Sequence, residues 1–134
     1  MRIISFCAIA CLVAGIVNAA PPVRFSGRWV AAFKGTDICI IEIEESDGKV
    51  SGESKACKIS VDQNGDLLEG ESPDPSQAPE PFLSPKVDGA SLRYEQADGA
   101  DRMKFEFRVT GEGKAELRFV GAPIAIKPIR FERR

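Results

Sequence analysis

The sequence contains no histidine, and this absence excludes several classes of catalytic and metal site. Histidine is the usual general base in nucleophilic catalysis and a common ligand of zinc and copper. The chain also lacks a glycine-rich phosphate loop and a carboxylate pair in an evident cleft. Glu42 and Glu44 share the solvent face of a predicted strand, and the neighbours Ser54 and Lys55 point to opposite faces of another. We therefore predict a protein that is not an enzyme and that needs no metal or cofactor.

Long hydrophobic runs are also scarce, because only one is present and it lies at the start of the chain. A short basic start, an apolar run and a small-residue site at Ala19 are typical of a secretory signal peptide. We predict a signal peptide over 1–19 and a single domain over 20–134, in a secreted or periplasmic protein. A lipoprotein processed at Cys11 is the less favoured alternative. Since no other apolar run is long enough to cross a bilayer, we expect no membrane span.

Cysteine is limited to four residues, of which two belong to the predicted signal peptide. The remaining pair, Cys39 and Cys57, enters an oxidising compartment, where a disulfide is favoured over a metal site. A hairpin turn centred on Gly48 puts the two cysteines opposite each other, whereas other turn geometries put residue 55 or 56 across from Cys39. Two buried free thiols are the alternative, and we predict the bridge.

Alternating apolar and polar residues make up most of the chain after residue 27, with no helical period. Met103, Phe105, Phe107 and Val109 alternate with charged residues in the clearest strand. The register of the turn at 111–113 would bring Phe119 of the next strand near Phe105. Pairing the first strand with the last would remove both exposed edges of the sheet. We predict an all-β fold, an eight-stranded antiparallel up-and-down barrel. The predicted strands are 27–34, 37–45, 50–59, 67–69, 90–96, 102–110, 114–120 and 124–132.

Three segments interrupt this pattern. Residues 73–85 contain five prolines and predict an extended surface loop, in an acidic stretch that is either solvated or a rim for a partner. The carboxylates that begin at Asp62 are spaced as in a calcium loop, but Leu67 and Pro73 occupy ligand-loop positions that need Gly and Glu, so a plain turn is favoured. The last strand changes parity at Pro128, which predicts a bulge.

Trp29 is the only tryptophan, and it follows Gly27 by two residues. The glycine would let the backbone pass close under the indole, so that Trp29 plugs the end of a small closed sheet. If Phe131 faces inward, Arg133 does so too, and its cation would lie over the indole. A basic surface tail is the alternative interpretation of Arg133.

The motif FSGRW at 25–29, a hairpin, and GKVSG at 48–52 resemble the opening of calycin-type barrels, the lipocalins and avidins. The chain is most similar to short secreted bacterial lipocalin-like domains of unassigned function. In that superfamily a basic residue near the C-terminus packs on the first-strand tryptophan, which implies a structural role for Arg133 or Arg130. Biotin binding is not implied, because the additional pocket tryptophans of avidin have no counterpart.

The order of SGRW at 26–29, CII at 39–41 and AC at 56–57 also resembles small periplasmic inhibitors of serralysin-type metalloproteases. Those inhibitors are disulfide-bridged eight-stranded barrels that insert a free N-terminal segment into the protease cleft. In this chain the corresponding segment would be residues 20–25, which is short and contains two prolines.

We predict a monomeric binding module for a small apolar ligand, contacted at one rim by Phe33, Tyr94, Phe105 and Phe107. Ordinary core packing is the alternative for each of these residues. The alternative function is inhibition of a secreted metalloprotease, and no nucleic-acid partner is expected from a net charge of −2. A void of roughly 300 Å³ or more would favour a ligand, and a filled barrel would favour surface recognition.

Overall fold

The computed structural model describes residues 23–55 and 58–134. The predicted signal peptide at 1–19 and Cys57 lie outside these residues. The described part of the chain folds into strands joined by turns, which confirms the all-β class. The strands are β1 (Gly27–Phe33), β2 (Thr36–Ser46), β3 (Lys49–Lys55), β4 (Ile59–Val61), β5 (Leu67–Gly70), β6 (Glu80–Pro81), β7 (Leu83–Asp88), β8 (Ser91–Asp98), β9 (Asp101–Gly111), β10 (Lys114–Val120) and β11 (Ile129–Arg133).

Nine of these strands form one antiparallel sheet in the order β6-β3-β2-β1-β11-β10-β9-β8-β7. The first and last strands pair as predicted, with Trp29 opposite Arg133. The two edge strands, β6 and β7, are separated in the chain by Phe82 alone, and the Phe82 amide donates to the Gly52 carbonyl on β3 at 2.8 Å. One continuous stretch of chain therefore forms both edge strands, and the sheet is a nearly closed barrel.

The main sheet has nine strands and not the eight predicted, because two short strands, β6 and β7, replace the predicted fourth strand. The short strand expected at 67–69 forms β5 and pairs with β4 in a separate two-stranded sheet. Its place is taken by residues 80–88, of which 80–85 belong to the proline-rich segment predicted to be a surface loop. Proline is compatible with a sheet edge, where a missing N–H group breaks no ladder. Pro81, for example, pairs with Glu53 at the edge of β3.

The last strand is shorter than predicted, since β11 begins at Ile129 and not at residue 124. Pro128 has no N–H group to extend the ladder, and the predicted bulge is replaced by the start of the strand. The preceding residues pack against the turn at 62–66, where the Lys127 amide donates to the Gly65 carbonyl at 3.0 Å. Asp62 closes that turn as an acceptor for the Asn64 and Asp66 amides, at 2.8 and 3.0 Å.

The β2–β3 hairpin turns through Asp47 and Gly48, both with positive φ (51° and 75°), so that Ser46 pairs with Lys49. Two consecutive positive φ values are typical of a type I′ turn. The register is therefore one residue tighter than a turn centred on Gly48, and agrees with one of the alternatives left open. The described pairing ends at Ile40 and Lys55. The predicted bridge from Cys39 remains a prediction, because its partner lies outside the described residues.

Candidate ligand-binding cavity

One end of the barrel is sealed by aromatic side chains around Trp29. The indole is 0% exposed, and its Nε1 donates to the Phe25 carbonyl at 2.8 Å. Phe107 meets it edge-on with the ring centroids 5.2 Å apart, and Phe131 packs on Phe107 at 5.8 Å. Aromatic rings prefer such edge-to-face arrangements. This end of the barrel is filled by its own side chains.

Arg133 covers the same end from outside. Its Cζ lies 4.4 Å from the indole centroid, and its Nη2 donates to the Arg24 carbonyl. Its buried Nε has no hydrogen-bond partner among the described residues. Gly27 has a φ of +132°, and a Cβ there would lie 3.1 Å from Arg133 Nε. The glycine thus makes room for the guanidinium, and not for the indole as its spacing from Trp29 suggested.

The opposite end of the barrel contains a cavity of about 340 Å³. Its volume exceeds the value at which the sequence argument favours a ligand, and it is at the lower end of the range for small-molecule sites. Residues from six strands of the barrel, from β4 of the separate hairpin, and from the segment before β11 line it. The lining residues are Cys39, Ile41, Ser54, Ile59, Glu80, Tyr94, Gln96, Ala97, Asp98, Met103, Phe105, Leu117, Phe119 and Ile126.

A row of aromatic rings in contact crosses four neighbouring segments beside this cavity. Phe82 stacks on Tyr94 with centroids 3.6 Å apart, and Tyr94 stacks on Phe105 at 5.3 Å. Phe119 meets Phe105 edge-on at 5.2 Å, in the directly opposed pair that the sequence register predicted. Tyr94, Phe105 and Phe119 reach the cavity and form its aromatic wall. Burial raises the pKa of Tyr94 well above its usual range, so the phenol is neutral.

Two polar side chains lie in the same cavity although the surrounding core is apolar. Ser54 is 7% exposed and Gln96 is 9% exposed. Gln96 Nε2 donates to Ser54 Oγ at 2.6 Å and to the Glu80 carbonyl at 3.2 Å. Because buried polar groups are costly unless they are paired, this link joins β8 to both β3 and β6 across the interior. Sequence reasoning missed the pair, although Gln96 shares the inward parity of Leu92 and Tyr94.

The mouth of the cavity is bordered by two segments held against each other. Ile59 of the β4–β5 hairpin and Ile126 of the stretch before β11 both line the cavity. Lys127 Nζ contacts Asp66 Oδ1 at 2.8 Å, and this hydrogen bond raises the pKa of Lys127. Both side chains of the ion pair are more than half exposed, so the pair contributes little stability by itself. The backbone bond from Lys127 to Gly65 adds a second tie.

The four predicted ligand-contacting residues are divided by the fold. Tyr94 and Phe105 line the cavity. Phe107, one inward position further along β9, packs against Trp29 at the sealed end. Phe33 is half-buried at the end of β1, in a surface depression that it shares with Lys127. The structure therefore places two of the four predicted residues at the cavity.

The described part of the N-terminal arm is tied to the barrel. Glu45 Oε1 accepts hydrogen bonds from the amides of Phe25 and Ser26, and Phe25 is buried. The described residues contain no cluster of three His, Cys, Asp or Glu residues that could hold a metal ion. They also contain no helix long and apolar enough to cross a membrane.

The fold and the cavity together define a nearly closed antiparallel barrel with one sealed end and one end that contains a void. Comparisons with family models, curated proteins and solved structures find no match to this chain.

Proposed function

We propose that this chain is a non-enzymatic binding module with a calycin-type barrel that holds a small apolar ligand in the cavity. The observation that carries the proposal is a cavity of about 340 Å³ with an aromatic wall, open at one end of the barrel. Protein interiors are close-packed, so a void of this size lacks contacts that a ligand would supply. The signal-peptide pattern supports a secreted or periplasmic location for this role.

The alternative function, inhibition of a secreted metalloprotease, has weaker support. Its resemblance depends on a free N-terminal segment that enters a protease cleft. The amides of Phe25 and Ser26 are bound by Glu45, so a free segment would have to end before these residues. A filled barrel would have favoured surface recognition, and the cavity of about 340 Å³ favours a ligand instead.

Naphthalene, an apolar probe without a hydrogen-bonding group, tests the proposal. In an NMR titration of the purified protein we expect it to shift backbone amide signals of cavity residues such as Phe105 and Leu117, while signals at the sealed end stay unchanged. Native mass spectrometry of the protein from its own secretion route would show any co-purifying ligand. A probe that shifts no cavity signal would contradict the proposal.

A matched pair of variants locates the binding. Ile126 lines the cavity and is half-buried, whereas Ile124 is 59% exposed on the same segment. We expect Ile126→Trp to fill the mouth and to weaken naphthalene binding by about tenfold or more, as a clash in a site of this size would. Ile124→Trp adds the same indole outside the site and should bind as the wild type does. Equal affinities for the two variants would place the probe elsewhere.

A further inference from the structure

Deepening the proposed function, on which this inference rests, we infer that the cavity selects a neutral ligand with one hydroxyl or amide-like head on a flat apolar body. The selecting groups are Ser54 and Gln96, the two buried polar side chains of the lining. Both are uncharged, and both can donate and accept hydrogen bonds.

The hydrogen bonds already made inside the cavity leave the right groups for such a head. Gln96 uses its amide nitrogen as a donor to Ser54 Oγ and to the Glu80 carbonyl. The Ser54 hydroxyl accepts this bond and keeps its own proton to donate. The Gln96 carbonyl oxygen is an acceptor on the same side chain. A hydroxyl on the ligand can therefore accept from one residue and donate to the other.

The distribution of charge excludes an ionic head. No lysine or arginine is among the described residues that line the cavity, and Lys55 and Lys58, which flank this region in sequence, are not in the lining. A buried anion would find no counter-charge in this lining, whose charged side chains are Glu80 and Asp98. Those two residues are exposed, so they do not offer a buried counter-charge to a cation either.

The body of the ligand follows from the apolar side chains that line the rest of the cavity. Tyr94, Phe105 and Phe119 place aromatic carbon along the cavity, and Ile41, Met103 and Leu117 add aliphatic surface. A flat ring can contact such a wall over its whole face, whereas a branched body would leave gaps. The volume of about 340 Å³ limits the ligand to a small molecule.

Four probes with one naphthalene body test the inference at pH 7, namely naphthalene, 2-naphthol, 2-naphthoate and 2-naphthylmethylammonium. We expect 2-naphthol to bind roughly two- to tenfold more tightly than naphthalene, the gain of one net hydrogen bond. Both ions should bind more weakly than 2-naphthol by about tenfold or more, because their charge would be desolvated without a partner. An ion that binds as tightly as 2-naphthol would overturn the inference.

Variants assign the preference to the polar pair. Gln96→Leu and Ser54→Ala should bring the ratio of the 2-naphthol affinity to the naphthalene affinity close to one. The near-ultraviolet circular dichroism of Trp29, at the other end of the barrel, shows whether the variants fold. Gln63→Leu and Ser51→Ala change exposed residues outside the lining and should keep the wild-type ratio. A ratio that survives in Gln96→Leu would overturn the inference while naphthalene binding still supports the proposed function. Loss of binding for all four probes would instead contradict the proposed function itself.

Discussion

Arg133 contacts several groups at the sealed end of the barrel. It lies over the Trp29 ring, donates to the Arg24 carbonyl and occupies the space above Gly27. A cation over a tryptophan face contributes about 0.5 to 2 kcal/mol, and more when it is partly desolvated. Arg130, three residues earlier on β11, is exposed on the opposite face of the strand. Of the two basic residues that the resemblance offered for this place, the structure puts Arg133 over the indole.

We therefore expect Arg133→Gln to lower the free energy of unfolding by about 1 to 3 kcal/mol, from the lost cation–π contact and the lost hydrogen bond. Arg130→Gln, the matched control, should stay within about 0.5 kcal/mol of the wild type. Urea unfolding followed by the fluorescence of Trp29 measures both. Losses of equal size would show that Arg133 has no special role.

We expect that Gly27 cannot be replaced without a loss of stability, because of its backbone conformation and its contact with Arg133. Gly27→Ala would force a side chain into a φ of +132° and against Arg133, so we expect a loss of about 1 to 3 kcal/mol. Gly89→Ala has a φ of +59° with open space around it, and tests the backbone cost alone. The double variant Gly27→Ala with Arg133→Gln should lose less free energy of unfolding than the sum of the two single losses, because the shorter side chain removes the clash. Urea unfolding measures all three losses. Additive losses would contradict the contact.

At the scale of the elements, closure of the barrel depends on residues 80–88. This stretch pairs with β3 through β6 and with β8 through β7. The change of partner occurs at Phe82, whose ring lies directly over Gly52. A Cβ on Gly52 would be 2.5 Å from Phe82 Cε2, which is closer than real atoms approach. The absence of a side chain on β3 thus lets the stretch cross from one edge to the other.

Gly52→Ala should displace Phe82 and open the barrel at this point. We expect a loss of about 1 to 3 kcal/mol, typical of overpacking, and faster hydrogen exchange at the Phe82 amide, which is bonded to the Gly52 carbonyl. Gly111→Ala is the matched control in β9, because a Cβ there meets no atom within 4 Å. It should be neutral or slightly stabilising. Unchanged exchange at Phe82 would show that closure does not depend on Gly52.

At the scale of the whole molecule, Tyr94 links the barrel to pH. It is the only tyrosine of the chain, and it is buried between Phe82 and Phe105. Burial raises its pKa, so the folded state binds the phenol proton more tightly than the unfolded state does. The stabilisation is complete below the unfolded pKa of about 10 and is lost as the pH rises towards the folded pKa.

Alkaline titration should therefore show phenolate absorbance only as the barrel unfolds, with the loss of the near-ultraviolet circular dichroism of Trp29 at the same pH. Tyr94→Phe removes the ionisable group and should shift alkaline unfolding to higher pH. The urea-unfolded chain, as a control, should titrate near the ordinary tyrosine pKa. Phenolate formation near that pKa in an intact barrel would contradict the burial of Tyr94.

Much of the barrel was predictable because its signals are local. Side-chain alternation, turn glycines and the parity of Phe131 and Arg133 are periodic properties of short segments. They were enough to predict the all-β class, the pairing of β1 with β11 and the contact of Phe105 with Phe119. The exact hairpin register was not decided, because turns of different length satisfy the same alternation.

The two edge strands in residues 80–88 were missed because a high proline content argues only against a central strand and is compatible with an edge strand. The Ser54–Gln96 pair was missed for a different reason. Alternation can turn Gln96 inward, but only the closure of the barrel brings it to Ser54, 42 residues earlier in the chain. A contact of that kind depends on the curvature and register of several strands together.

The sequence by itself determined the class of fold and the plug at one end, since these follow from side-chain period, turn chemistry and a tryptophan with its basic partner. Only the tertiary structure decided which end stays open, how large the void is and which polar groups lie in it. The physical reason is that alternation sets the side of the sheet on which each residue lies. The space that remains inside depends on how all the inward side chains fill the closed barrel.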